Sequence, residues 1–117
     1  MSRILIVDDD RTTTRLLQTF LELDGHTVEV SSAGADAIRL ILESKPDAVL
    51  MDYRLGDGIT GLDVIKKVRT EAEFSKLPII LTSGMDIEYE AKESGATSFL
   101  LKPYDPDMLS KMIAEMA

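Results

Sequence analysis

The chain holds 117 residues, 44% of them hydrophobic, which predicts one domain around one core and excludes a disordered chain. A net charge of −8, from 21 acidic and 13 basic side chains with no basic run, argues against direct nucleic-acid binding. No apolar stretch nears the roughly 20 residues of a membrane span, no signal peptide is visible, and cysteine is absent. The expectation is a cytoplasmic domain without membrane insertion, disulfides or thiolate metal sites.

Short apolar runs alternate with longer segments of helical spacing. Residues 4–7, Ile4-Leu5-Ile6-Val7, read as a first strand that ends at Asp8 and Asp9. Arg11 to Leu23 reads as a helix with Leu16, Leu17, Phe20 and Leu23 on one face. Asp24-Gly25-His26 is a stop and turn, with Gly25 in the left-handed position. Residues 27–30 form a second strand, and residues 35–44 a helix with Ala37, Ile38, Ile41 and Leu42 inward. Residues 48–51 are apolar at every position, the pattern of a strand buried on both faces, and Asp52 follows. A loop with Gly56, Gly58 and Gly61 leads to a helix over 62–70, with Leu62, Ile65 and Val68 inward. Residues 78–81 are the fourth strand, ending at Thr82, and 86–94 a short helix stopped by Gly95. Ser98 to Leu101 is the fifth strand, followed by Lys102 and a closing helix over 105–116, with Met108, Leu109 and Met112 on its face.

Five β-α units in alternation predict an α/β fold, a parallel sheet with helices on both sides. Right-handed crossovers then bring all strand C-termini to one edge, where such sheets bind ligands. Asp8, Asp9, Asp52, Thr82 and Lys102 all fall at that edge. Hard carboxylate oxygens suit Mg²⁺, which offsets their mutual repulsion. A carboxylate can attack phosphorus to give an aspartyl phosphate, while a hydroxyl, an ammonium and a metal hold the phosphoryl oxygens.

Four blocks in order carry a resemblance: Ile4-Leu5-Ile6-Val7-Asp8-Asp9, Val49-Leu50-Met51-Asp52-Tyr53-Arg54-Leu55, Ile79-Ile80-Leu81-Thr82-Ser83-Gly84, and Gly95-Ala96 through Phe99 to Lys102-Pro103-Tyr104. Over its whole length, 1–117, the chain resembles a single response-regulator receiver domain, the phosphoacceptor module of two-component signalling. The resemblance implies a flavodoxin-like (βα)₅ three-layer sandwich, its five parallel strands in the order 2-1-3-4-5. It implies Asp52 as phosphoacceptor, Asp9 as a direct Mg²⁺ (or Mn²⁺) ligand, and Asp8 acting mainly through bound water. The backbone carbonyl of Arg54 would be a further ligand. Thr82 would bond the phosphoryl group and switch rotamer, Lys102 would pair with a phosphoryl oxygen, and Phe99 would be the switch aromatic. The Lys102–Pro103 bond is expected to be cis. The implied partners are a sensor histidine kinase or phosphotransfer protein and a downstream effector at the face of the fourth helix, fifth strand and fifth helix. The module would catalyse its own phosphorylation and dephosphorylation only.

The chain departs from the family pattern in two places. Gly56 stands where many members carry proline, in a loop one residue longer than the commonest form, so a flexible backbone is expected there. The helix after Thr82 is short.

Plainer readings stand beside these. Asp10 is assigned to capping or solvent, and Asp57, Asp63 and Asp86 to loop and helix-start positions. His26 reads as a turn residue, and Phe99 equally as a core phenylalanine. Asp8-Asp9-Asp10-Arg11-Thr12 also fits the Asp-x-Asp-x-Thr pattern of haloacid-dehalogenase-type phosphatases, with Asp8 as nucleophile and Asp10 as general acid. That alternative leaves Asp52 and Lys102 unexplained. A third reading is an interaction module that is never phosphorylated. A nucleotide-binding fold is disfavoured, because no glycine-rich turn follows the first strand.

Overall fold

The computed structural model describes residues 2–116. The elements run β1 (Arg3–Val7), α1 (Arg11–Leu23), β2 (Thr27–Ser31), α2 (Gly34–Ser44), β3 (Ala48–Asp52), α3 (Gly61–Arg69), a short 3₁₀ turn (Ala72–Phe74), β4 (Ile79–Ser83), α4 (Glu88–Ser94), β5 (Ser98–Leu101) and α5 (Pro106–Met116). All strand pairs are parallel, in the order β2-β1-β3-β4-β5. The alternation of strands and helices therefore gives the expected fold.

Strand side chains alternate between two cores, one on each face of the sheet. Leu5, Val7, Val49, Met51, Ile79 and Leu81 pack with Ala37 and Ile41 of α2, Val64, Ile65 and Val68 of α3, and Ala91 of α4. Ile4, Ile6, Leu50, Ile80 and Leu100 pack with Leu17 and Leu21 of α1 and Leu109 and Ile113 of α5. Burial on both faces explains the continuous apolarity of β3 and β4.

Local signals set the element ends. Asp10 caps α1, its carboxylate accepting from the N–H groups of Thr12 and Thr13. Thr60 and Asp63 form a reciprocal capping box at α3. Gly25 and Gly95 take positive φ, 94° and 107°, at the ends of α1 and α4.

The inward face of α1 differs from the expected one. Thr14, Leu17 and Leu21 are buried, while Leu16 and Leu23 are 68% and 83% exposed. Five large apolar residues cover too wide an arc of this helix for its own sequence to choose the face. Docking against the sheet and α5 chooses it. Met108 and Leu42 also face solvent, and Ile113 takes the core position on α5. The 3₁₀ turn escaped the sequence reading because three residues carry no period.

Candidate functional site

Strand parity assembles the site. Asp52 stands opposite Thr82 in the β3–β4 register, and Val7 opposite Met51, so Asp8 extends beside Asp52. The ladder bonds continue past the strand ends: Asp8 N–H donates to the Ser31 carbonyl, Tyr53 N–H to Thr82 and Lys102 N–H to Ser83, at 3.0, 2.9 and 2.8 Å. Extended backbone preserves the alternation, so Asp8, Asp52, Thr82 and Lys102 share the parity of Ile6, Leu50, Ile80 and Leu100. Four residues distant in sequence thus project to one side of the C-terminal edge.

The contacts follow from that placement. Lys102 Nζ lies 3.0 Å from Asp52 Oδ1 and 3.4 Å from Asp8 Oδ2. The Thr82 hydroxyl donates to Asp52 Oδ1 at 3.4 Å. Asp8 and Asp52 are buried, at 6% and 8% exposure, and Asp9 is exposed. Carboxylate oxygens of Asp8, Asp9 and Asp52 lie within 4.8 Å of one another. Burial, then the Asp8 charge, raises the Asp52 carboxyl above its ordinary value, against the pull of Lys102. Burial works against the Lys102 ammonium, but its hydrogen bond and ion pair with Asp52, aided by Asp8, hold it above its ordinary value.

One ammonium cannot neutralise three carboxylates. All three are hard oxygen donors, and His26 is engaged elsewhere, its Nδ1 accepting from Ser2 N–H. The donor set therefore fits a divalent cation of the Mg²⁺ kind. Beside it is an opening of about 340 Å³ walled by Asp52, Arg54, Ser83, Gly84 and Lys102. Asp9 and Arg54 share the wall of a second opening, of about 330 Å³. The Lys102–Pro103 bond is cis.

Phe99 does not join this cluster. It has the opposite strand parity, packs against the Leu81 side of the sheet and is half-buried. Asp10 does not join it either: its carboxylate is committed to the α1 cap. That placement does not favour the phosphatase alternative, in which Asp10 is the general acid.

Three contributors were not singled out as site residues in the sequence. Gly61 opens α3 directly against β3. A Cβ there would run into the Asp52 carbonyl and come within 2.9 Å of Leu81 Cδ1 and Met51 Cγ. Only glycine lets α3 approach the strand that carries Asp52. The buried Ser83 hydroxyl accepts from Met85 N–H at 3.0 Å and shapes the turn beside Asp52. Asp57 ties the glycine-rich loop to α2, its carboxylate accepting from Gly34 and Ala35 N–H at 3.0 and 3.1 Å. The expectation of a loosely held loop is therefore not met. Gly61 was visible in the sequence as a loop glycine, but no local signal gave its neighbour.

The fold and this cluster define a phosphoacceptor class of protein, and comparison with known proteins places the chain within it. Residues 4–114 match the family model of the response regulator receiver domain. The chain is 38% identical over 116 residues to protein PilH of Pseudomonas aeruginosa, covering 97% of this chain and 95% of that protein. It is 33% identical over 117 residues to the response regulator MprA of Mycobacterium sp., covering 97% of this chain but only 48% of that protein. Chemotaxis response regulator CheY4 of Vibrio cholerae superposes with a TM-score of 0.92 at 26% identity, covering 100% of this chain and 99% of that one. A two-component response regulator from Clostridium difficile gives 0.89 at 26% identity, covering 99% and 95%.

The chain belongs to the response-regulator receiver family. It is a signalling module rather than a metabolic enzyme, of a kind that is typically phosphorylated, binds Mg²⁺, and interacts with histidine kinases or phosphotransfer proteins and with effectors. Among the described residues, no helix is long and apolar enough to cross a membrane.

Proposed function

We propose that Asp52 is the phosphoacceptor of one receiver domain spanning residues 1–117, which takes its phosphoryl group from a sensor histidine kinase or phosphotransfer protein. The observation that carries this reading is the convergence of Lys102 Nζ, at 3.0 Å, and the Thr82 hydroxyl, at 3.4 Å, on one buried Asp52 oxygen. No other carboxylate among the described residues has both partners.

In the transfer, a carboxylate oxygen of Asp52 attacks phosphorus. A P–O bond forms, the P–N bond to the donor imidazole breaks, and the imidazole keeps the bonding pair. Lys102 and Thr82 meet two phosphoryl oxygens and balance their charge. Asp9, Asp8 and the backbone carbonyl of Arg54 are the groups that would hold Mg²⁺ (or Mn²⁺), Asp9 as a direct ligand and Asp8 mainly through bound water. When bound, the ion neutralises charge on the phosphoryl oxygens. The same groups serve self-catalysed loss of the signal: a water oxygen attacks phosphorus, inorganic phosphate leaves, and the Asp52 carboxylate is restored. The effector is read out at the face of α4, β5 and α5, with Thr82 and Phe99 as the switching pair, and the reactions take place in the cytoplasm, where the donors are.

The test is intact-mass spectrometry after incubation with a small phosphodonor and Mg²⁺. The parent should gain one phosphoryl group and Asp52→Asn none. Label retained in Asp52→Asn but lost in Asp8→Asn would overturn the assignment in favour of the phosphatase-like chemistry.

A further inference from the structure

We infer that Asp57 is a positioning residue: it fastens the loop after β3 to the start of α2 and so holds that loop against Asp9 in a form ready for the cation. This inference rests on the metal reading above, and it concerns a residue that touches neither metal nor phosphoryl group.

The start of α2 lacks a cap of its own. Ala33 stands at the N-cap position and makes no side-chain cap bond. The first N–H groups of a helix need acceptors, and here they find one 22 or 23 residues further along the chain. Gly34 N–H donates to Asp57 Oδ1 at 3.0 Å and Ala35 N–H to Oδ2 at 3.1 Å. Ile59 N–H also donates to Oδ1, at 3.3 Å, which closes the loop upon itself. Backbone bonds, Ala35 foremost and then Gly34, hold the Asp57 carboxyl below its ordinary value, in keeping with a working cap.

Two further contacts run the same way. Gly56 N–H donates to the Ser32 carbonyl at 2.9 Å. A Cβ on Gly34 would lie 2.8 Å from Ile59 Cγ2, so the start of α2 and the loop are in close contact. The loop is thereby fixed beside the acidic cluster. A Cβ on Gly56 would lie 3.7 Å from Asp9 Cβ, and Asp9, Arg54, Gly58 and Thr60 wall one opening.

The physical argument is preorganisation. Gly56 and Gly58 give this loop more backbone freedom than any other residue type would, and Gly58 sits at a φ of +80°. Without a tether, that freedom is lost when the cation binds and weakens binding accordingly. Asp57 has already removed it in the folded protein. Fixing the backbone of a single loop residue has a cost equivalent to about a tenfold change in affinity, so loss of the tether should weaken binding by about that much.

The test is a MgCl₂ titration followed by the backbone amide shifts of Asp8 and Tyr53, in the parent, Asp57→Ala, Asp57→Asn and Asp9→Ala. Asp57→Ala should bind Mg²⁺ about tenfold more weakly and show faster hydrogen exchange at Gly34 and Ala35. Asp57→Asn keeps an oxygen for Gly34 and Ile59 but no charge, and should stay within about threefold of the parent. Parent-like affinity in Asp57→Ala overturns the inference. Equal weakening in both variants also overturns it, because the effect is then charge and not tethering. Asp9→Ala separates this failure from failure of the site itself. If Asp9→Ala loses Mg²⁺ and Asp57→Ala does not, only the role of Asp57 falls. If Asp9→Ala still binds like the parent, the metal reading falls with it.

Discussion

At the scale of single residues, the proposed phosphorylation of Asp52 bears most directly on its neighbour Thr82. It is 2% exposed, and its hydroxyl now donates to a carboxylate at a long 3.4 Å. A dianionic phosphoryl group is a stronger acceptor and draws that hydroxyl inward. A charge-assisted bond is worth roughly 1.5–3 kcal/mol, and only its excess over the present bond counts, so a population shift of about a hundred-fold is the upper bound. Register pairs Thr82 with Leu100, while Phe99 has the opposite parity beside Leu81. Thr82→Ala should accept phosphoryl but give a blunted response. Amide shifts around Phe99, with and without beryllofluoride, measure it. If Thr82→Ala responds as fully as the parent, the coupling is wrong and Phe99 is an ordinary packing residue.

At the scale of elements, the placement of α3 governs the site as much as any side chain does. Its capping box fixes where the helix begins, and Gly61, its first residue, lies against the Asp52 carbonyl. Gly61 N–H also donates to the Tyr53 carbonyl at 2.9 Å, so the turn from strand to helix is closed on both sides. In Gly61→Ala the Leu81 and Met51 side chains can yield, but the nearest obstruction, the Asp52 carbonyl, is backbone and cannot. The helix start must move, at a cost of about 1–3 kcal/mol or more. Differential scanning calorimetry should show a lower melting temperature, and the phosphorylation rate should fall further than a stability loss alone accounts for. An unchanged melting temperature would mean that α3 shifts freely, contrary to this packing.

At the scale of the whole molecule, pH dependence combines groups of opposite sign. Asp10, Asp36 and Asp57 are held below the ordinary 3.8, mainly by hydrogen bonds from Thr13, from Arg39 and from Ala35 and Gly34 respectively. A depressed folded-state value adds stability above 3.8 that is lost as pH falls through the folded values. These three contribute in the direction of an acid limb, modestly because they are exposed to solvent. Asp52 runs the other way, because burial and the Asp8 charge raise its folded-state value. Its ionisation therefore lowers stability above 3.8, and protonation in acid removes that cost. Without metal, Asp52→Asn should melt higher than the parent at pH 7. The gap should close as pH falls below about 4, since model carboxylates titrate there. Melting curves in chelator at both pH values check the sign, and a parent more stable than Asp52→Asn at pH 7 would reverse it. The site then holds its charge at the expense of stability, as binding sites commonly do.

Much of this was legible in the sequence because it is local. Continuous apolar runs marked β3 and β4, and acid, hydroxyl and ammonium residues at the strand ends marked the edge where Asp8, Asp9, Asp52, Thr82 and Lys102 meet. Alternation of strand and helix set the parallel sheet, and the motif blocks set its order through resemblance. What the tertiary structure alone decided is whatever depends on a neighbour far along the chain. The inward face of α1 was chosen by α5 and the sheet, because the helix carries more apolar surface than one face can bury. Asp57 looked like a loop acid and became the cap of a helix whose start lies more than twenty residues before it. Gly61 looked like a flexible loop position and is required by a carbonyl across the turn. Composition and period report which atoms must leave water. They do not report which partner each will meet, because that is settled only when the two cores close on either side of the sheet.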